Sequence, residues 1–449
     1  MKTIGIAIFE GVASKNILRT QILPALLARP DVQVALVAKS RERVAYHEKE
    51  FNDARISYTV IEPHRPKGLD AFFARLKFFL LRTETTVMRQ RATAPSPLHF
   101  FLWSLLNQAL ARPTVQKIVR WGDYALVRPL SYAVYFEKHR PDIIVAANLF
   151  DEAEAQLVRE ARLRGIPTIG FVNSWDKTTA RSGIRIFPDH FIVFNEQVRD
   201  ELVRYHGADP AKIFVGGIPQ YDQYMIRTPS PRDVFFKSIG IDPHMKLVVY
   251  SPLGGTFWSG DWAMIDFLQK IVSEGRLGVN VALLVRFPPN EFVNEKELAS
   301  RPWLYYDYPG MRFSTARGSD WDMTFPELDH LSDTLTYMSL LICYASSISV
   351  DAAILDRPVI NIHFTLDESV RFGGFTVEQL YRLTHYRAAL ASGGIRLVEN
   401  ADALAAQARA YLEHPVQDRK GRARLAREQC AYLDGKSGER IGNFILNYL

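Results

Sequence analysis

The segment Leu340-Leu341-Ile342-Cys343-Tyr344-Ala345-Ser346-Ser347-Ile348-Ser349-Val350-Asp351-Ala352-Ala353-Ile354-Leu355-Asp356-Arg357-Pro358-Val359-Ile360-Asn361-Ile362 reads as strand, turn, helix, turn, strand. Its first apolar run, Leu340–Tyr344, enters a hydroxyl-rich turn. Ser349–Leu355 follows at helical spacing, Asp356-Arg357-Pro358 ends it, and Val359–His363 is a second apolar run. Strands apolar on both faces are strands covered by helices on both sides. Two of them around one helix form a parallel unit.

The same alternation extends outward. Downstream lie a strand at Ile395–Val398 and a helix at Ala401–Leu412. Upstream lie strands at Leu247–Ser251 and Val279–Val285, with a helix at Trp262–Glu274 between them. A stretch with Pro229, Pro231, Gly240 and Pro243 interrupts the pattern, as a linker does. Before it, strands are expected at Thr3–Phe9, Val32–Ala38, Ile56–Ile61, Asp142–Asn148, Pro167–Asn173, His190–Asn195 and Ile213–Gly216. Helices are expected at Glu152–Arg164, ending at Gly165, and at Gln197–His206, ending at Gly207. The fold class is therefore α/β: two tandem Rossmann-like domains, residues 1–225 and 226–430, facing a cleft. A last helix, within residues 431–449, is free to pack back on the first domain.

The 449 residues carry 55 Lys or Arg against 49 Asp or Glu, a net charge of +6. The excess is local. Between His64 and Arg140 stand thirteen Lys or Arg and only four acids, a net +9, interleaved with Phe72, Phe73, Phe78, Phe79, Phe100, Phe101, Trp103 and Trp121. This helical, basic and aromatic insertion in the first domain predicts contact with an anionic membrane surface, with cations at the headgroups and rings at the acyl boundary. No nucleic-acid motif accompanies the charge, so no nucleic-acid partner is expected. The two cysteines, Cys343 and Cys430, are too few for a disulfide scaffold or a structural zinc site. No window reaches 18 consecutive apolar residues, and the N-terminal apolar run ends at Glu10. The expected location is the cytoplasm, peripherally on the inner face of the cell membrane.

In open α/β sheets ligands sit at the carboxyl ends of strands, so residues just after strands are the candidates. In the second domain these are the Gly254-Gly255-Thr256 loop, Arg286 before Phe287-Pro288-Pro289, and the turn with Ser346, Ser347, Ser349 and Asp351. Paired glycines admit close backbone approach. Arg286 offers a guanidinium to a diphosphate, and a helix start offers N–H groups. In the first domain Lys177 can neutralise a phosphate. Glu10, Asp176 and Asp151 are candidates for the base that takes an acceptor proton, with Glu10 first because its strand is central. Asp320-Trp321-Asp322 has the letters of a metal loop but lies outside the strand pattern, and no metal or cofactor is expected.

These residues resemble a family. The Asp329–Leu335 helix start, the Tyr344–Leu355 serine turn, Arg357-Pro358-Val359-Ile360 and Asp434-Gly435-Lys436-Ser437-Gly438-Glu439-Arg440-Ile441 look like parts of GT-B type glycosyltransferases of bacterial surface-polysaccharide synthesis. So do Asn173-Ser174-Trp175-Asp176-Lys177-Thr178-Thr179 and Pro188-Asp189-His190-Phe191-Ile192-Val193-Phe194-Asn195. Similar elements occur in teichoic-acid glycerophosphotransferases and in UDP-sugar epimerases. Phe287 stands where a His-Pro pair is usual in the glycerophosphotransferases, which weakens glycerol-phosphate transfer. The resemblance implies a nucleotide-sugar donor on the second domain, no bound metal, and a lipid-linked or polysaccharide acceptor. The alternatives are a polyol-phosphate transferase, a UDP-sugar epimerase, or a non-catalytic nucleotide-sugar-binding protein.

Overall fold

The computed structural model describes residues 1–128, 131–255, 258–315, 318, 320–367 and 374–449. It divides into two units, Met1–Asp222 with Cys430–Leu449, and Gln223–Gln429.

In the first unit seven apolar runs become strands: β1 (Lys2–Ala7), β2 (Val32–Ala38), β3 (Ile56–Val60), β4 (Ile143–Ala146), β5 (Thr168–Phe171), β6 (His190–Val193) and β7 (Ile213–Val215). They form one parallel sheet in the order β3-β2-β1-β4-β5-β6-β7. Every residue of β4 and β5 is buried, as two-sided helix cover requires. The order reverses between β1 and β4. That is the switch point where a crevice opens at the carboxyl ends of such a sheet.

The second unit repeats the plan. It contains β8 (Lys246–Ser251), β9 (Val281–Arg286), β10 (Tyr305–Asp307), β11 (Met311–Arg312), β12 (Trp321–Asp322), β13 (Met338–Cys343), β14 (Val359–Ile362) and β15 (Arg396–Val398). Six of them form a parallel sheet in the order β10-β9-β8-β13-β14-β15, while β11 and β12 pair antiparallel. The switch point here lies between β8 and β13. Asp322, one letter of the apparent metal loop, is therefore part of a small hairpin. Among the described residues no group of three or more His, Cys, Asp or Glu is placed to hold a metal.

One local expectation needs correction, and two elements were not foreseen. The run Gln197–His206 is an α-helix, Glu196–Glu201, that loosens into a π-turn at Leu202–His206 before Gly207. The edge strand β10 escaped the pattern because its tyrosines are exposed. The helix Arg419–Cys430 escaped it because half its residues are charged and two on its buried face, Arg422 and Gln429, are polar.

The C-terminal helix, Ser437–Leu446, packs on the first unit. Asp222 accepts from the backbone N–H groups of Ser437 (3.0 Å) and Gly438 (2.7 Å), and so caps its start. A β-carbon at Gly442 would lie 2.6 Å from that of Ala25, so this approach needs glycine. Phe444 stacks on Phe214 at 4.1 Å.

The His64–Arg140 segment, between β3 and β4, folds into helices that include Leu69–Leu76, Glu84–Thr93, Pro97–Leu110, Pro113–Leu126 and Ala133–His139. A buried ionic network anchors it. Arg185 pairs with Asp70 (2.7 Å) and with Asp123 (2.9 Å), and Asp123 also pairs with Arg159 (2.7 Å). Among the described residues no helix is long and apolar enough to cross a membrane.

Candidate functional site

In the first unit three strand ends bring polar side chains together. Glu10 follows β1, Asn148 follows β4 and Asn173 follows β5. Lys177 opens the short helix Lys177–Ala180. The Oε1 atom of Glu10 accepts from Asn148 Nδ2 (3.0 Å), Asn173 Nδ2 (3.0 Å) and Lys177 Nζ (3.2 Å). Lys177 also donates to Asn173 Oδ1 at 2.6 Å, and the Phe150 N–H donates to Asn148 Oδ1 at 3.2 Å, which fixes both amide orientations. Oε2 of Glu10 accepts from no described residue, and the side chain keeps 14% exposure. One oxygen is thus locked by three donors, two neutral and one cationic, while the other is left to an incoming group.

Behind this cluster lies Glu154, fully buried, whose Oε2 accepts from the Asn148 backbone N–H at 2.8 Å. Its Oε1 has no hydrogen-bond partner among the described residues. Burial, then the charge of Asp151, pushes its pKa well above the ordinary range, so the neutral form is favoured. Glu10, by contrast, has a cationic partner in Lys177.

The other two base candidates are placed differently. Asp151 caps the helix Glu152–Leu163, its Oδ1 accepting from the backbone of Ala153 (2.9 Å) and Glu154 (3.2 Å). Burial raises its pKa. Asp176 accepts from the Ser174 hydroxyl beside it. Lys177, grouped with the donor-binding residues on sequence, belongs to the first unit and to Glu10.

In the second unit the expected residues also lie at strand ends, but internal bonds hold most of them. Arg286 ends β9, is buried, and donates through Nη1 to Asp307 Oδ2 at 2.8 Å. Asp307 also bonds His330 Nε2 at 2.9 Å. Burial raises the Asp307 pKa, but His330 and Arg286 outweigh it and hold the carboxyl below its usual range. Nε and Nη2 of Arg286 bond no described residue, so one edge of the guanidinium is fixed and the other is open.

The Ser346–Asp351 turn divides in the same way. Ser349 is fully buried and bonds Tyr386 at 3.1 Å and Cys343 at 3.4 Å. Asp351 accepts from Tyr224 at 2.6 Å. Ser347 is exposed and Ser346 half-buried, and neither caps the helix Ile348–Ile354 through its side chain. Gly254 adopts φ +94°, where a β-carbon would be strained, and Gly255 beside it is exposed. Thr256 lies outside the described residues. The Gly254 N–H donates to Asp261 (2.7 Å), as does the Tyr250 hydroxyl (2.8 Å). Burial pushes Asp261 up to about 7.

A cavity of about 660 Å³ opens at the carboxyl ends of β14 and β15, lined in part by His363, Thr365, Thr376, Glu378, Glu399 and Asn400. Sequence reasoning missed it, as it missed Asn148, Asn173 and Glu154. Asn148 and Asn173 do end the strand runs, but neutral amides give no signal of their own.

No protein-family model and no curated protein matches the sequence. Solved structures do match by shape. The UDP-GlcNAc 2-epimerase of Neisseria meningitidis, solved with UDP-GlcNAc, is 11% identical with a TM-score of 0.56, and each chain is covered in full. The UDP-GlcNAc 2-epimerase of Methanocaldococcus jannaschii, in complex with UDP-GlcNAc and UDP, is 14% identical with a TM-score of 0.51, again with full coverage of both. The glycotransferase of kitacinnamycin is 13% identical with a TM-score of 0.51, covering 100% of this chain and 99% of its own. The chain has the GT-B fold. Within it, the Glu10 cluster sits at the switch point of the first GT-B sheet. The Gly254 loop and the Ser346 turn flank the switch point of the second.

Proposed function

We propose that this protein is a glycosyltransferase that moves a sugar from a nucleotide-sugar donor to an acceptor hydroxyl. The observation that carries the reading is Glu10, with one oxygen held by Asn148, Asn173 and Lys177 and the other open. A general base needs that arrangement: a fixed carboxylate with a free lone pair toward the proton it removes. The acceptor oxygen attacks the anomeric carbon, its proton passes to Glu10, and the nucleoside diphosphate leaves. The open edge of Arg286 supports a role at the developing diphosphate charge, as do the Ser346 and Ser347 hydroxyls and the Gly254-Gly255 backbone. The nucleoside is assigned to the cavity beside His363. The acceptor is lipid-linked or a polysaccharide, met at the inner face of the cell membrane through the basic His64–Arg140 segment.

UDP-sugar epimerisation is the second reading, favoured by the names of most of the matched structures. A panel of nucleotide-sugars separates the readings. A transferase releases nucleoside diphosphate only when acceptor is added. An epimerase converts the nucleotide-sugar without acceptor. A binding protein shows only thermal stabilisation. Conversion without acceptor, or stabilisation alone, refutes transfer.

A further inference from the structure

The helices Pro97–Leu110 and Pro113–Leu126 turn polar groups inward and apolar groups outward. Asn107, the one buried residue of the first, donates to the Phe79 and Leu81 carbonyls at 2.9 Å each. Gln116 and Asp123 anchor the second. Outside, Leu98, Phe101, Leu102 and Leu105 are 49–64% exposed at i, i+3, i+4 and i+7, a single stripe on a helix without Lys, Arg, Asp or Glu. On the next helix Ile118 and Trp121 are exposed, Trp121 at 71%. Scattered exposed apolar residues are ordinary. A contiguous stripe is not, and it marks a surface with an apolar partner.

The second helix also lines a cavity of about 390 Å³, with Lys117, Arg120, Arg162, Phe187, Asp189 and Lys212 around it. Arg120 stacks on the Phe187 ring at 4.2 Å and makes no hydrogen bond or ion pair with a described residue. Burial lowers its pKa to about 10, the signature of a cation withdrawn from water without compensation. The nearby carboxylates are already engaged. Asp189 accepts from the Thr168 backbone and hydroxyl, and Asp209 from the Ala211 backbone. The cavity lies at the amino ends of β6 and β7, opposite the sheet end that holds Glu10, so it is separate from the transfer site.

We propose that this cavity takes the phosphate of an anionic lipid headgroup, with the stripe of Pro97–Leu110 and Trp121 set into the acyl boundary of the bilayer. A second copy of the chain is a poor occupant, because the surrounding segment carries a net +9 and would meet its own charge. The proposal deepens the membrane half of the reading above and stands without its catalytic half. Vesicle binding needs neither donor nor acceptor, so the two fail separately.

The test is flotation of the full chain with phosphatidylcholine vesicles, with and without phosphatidylglycerol. The wild type should bind only the phosphatidylglycerol vesicles. Leu102→Glu with Leu105→Glu, on the exposed face, should abolish binding, and retained binding overturns the insertion. Arg75→Gln, an exposed cation of the same segment, should weaken binding about fivefold, the worth of one charge near an anionic surface. Arg120→Gln should weaken it by roughly 10- to 100-fold, as loss of a charged hydrogen bond does. Equal losses at the two positions overturn the site. If Arg120→Gln does not fold, Lys117→Gln is the second variant, and a loss no larger than that of Arg75→Gln overturns the site likewise. Stabilisation by inorganic phosphate, lost in Arg120→Gln and without vesicle binding, assigns the cavity to a soluble phosphate and overturns the lipid assignment. A dimer that the stripe variant dissolves in the absence of lipid assigns the stripe to a second copy, with the same result.

Discussion

In both sheets the loop after the central strand leads to a carboxyl group, and the two are treated oppositely. Glu10, after β1, meets three N–H donors, one of them on Lys177, and keeps an oxygen open. Asp261, beyond β8, is buried against the Tyr250 hydroxyl and the Gly254 N–H, with no cation on it among the described residues, and burial lifts its pKa to about 7. The first carboxyl is held by one oxygen among three donors, with the other oxygen open. The second braces the Gly254 loop from behind. Position after a strand therefore nominates a residue, and the donors around it decide what it does.

The largest expected effect tests the first half of that contrast. Glu10→Gln should lower acceptor-dependent turnover by about 10²–10⁴-fold, with nucleotide-sugar binding kept. Turnover near wild type would remove Glu10 as base. Asp176→Asn should then show the loss instead.

The second half is read by pH. Asp261 stays protonated to about pH 7 in the folded chain but titrates near 4 when unfolded. The folded state binds the extra proton, so this contribution to stability is complete below about pH 4 and is lost as pH rises toward 7. It amounts to roughly 4 kcal/mol at most. Urea unfolding of wild type and Asp261→Asn across that window should show a loss of stability with rising pH that is smaller in the variant, and equal slopes would contradict the assignment.

Arg286 sharpens the comparison from the donor side. Arg286→Ala should weaken nucleotide-sugar binding by about 1.5–3 kcal/mol, measured by calorimetry, without the turnover signature of Glu10→Gln at saturating donor. Unchanged affinity would leave Arg286 as the partner of Asp307 alone.

The smallest effect separates a cap from a base. Asp151→Ala should cost about 1 kcal/mol of stability, as loss of an N-cap does, and leave turnover close to wild type. A rate loss comparable to that of Glu10→Gln would overturn the distinction between the two acids.

The architecture was written in local pattern. Buried parallel strands are apolar on both faces, so twelve runs could be placed from sequence within a few residues. Glu10, Lys177, Arg286 and the serine turn were visible because chemistry-bearing residues after such runs stand out. The exposed edge strand β10 and the helix Arg419–Cys430 were not: β10 buries no apolar face, and the buried face of the helix is broken in sequence by the polar Arg422 and Gln429. What only the tertiary structure decided is convergence. Asn148 and Asn173 reach Glu10 across 138 and 163 residues, because β4 lies beside β1 and β5 beside β4. Asp307 reaches Arg286 because β10 pairs with β9. Periodicity reports which face of an element is buried. It does not report which strand lies alongside, nor, for Pro97–Leu110, that the polar Asn107 turns inward and the leucines out.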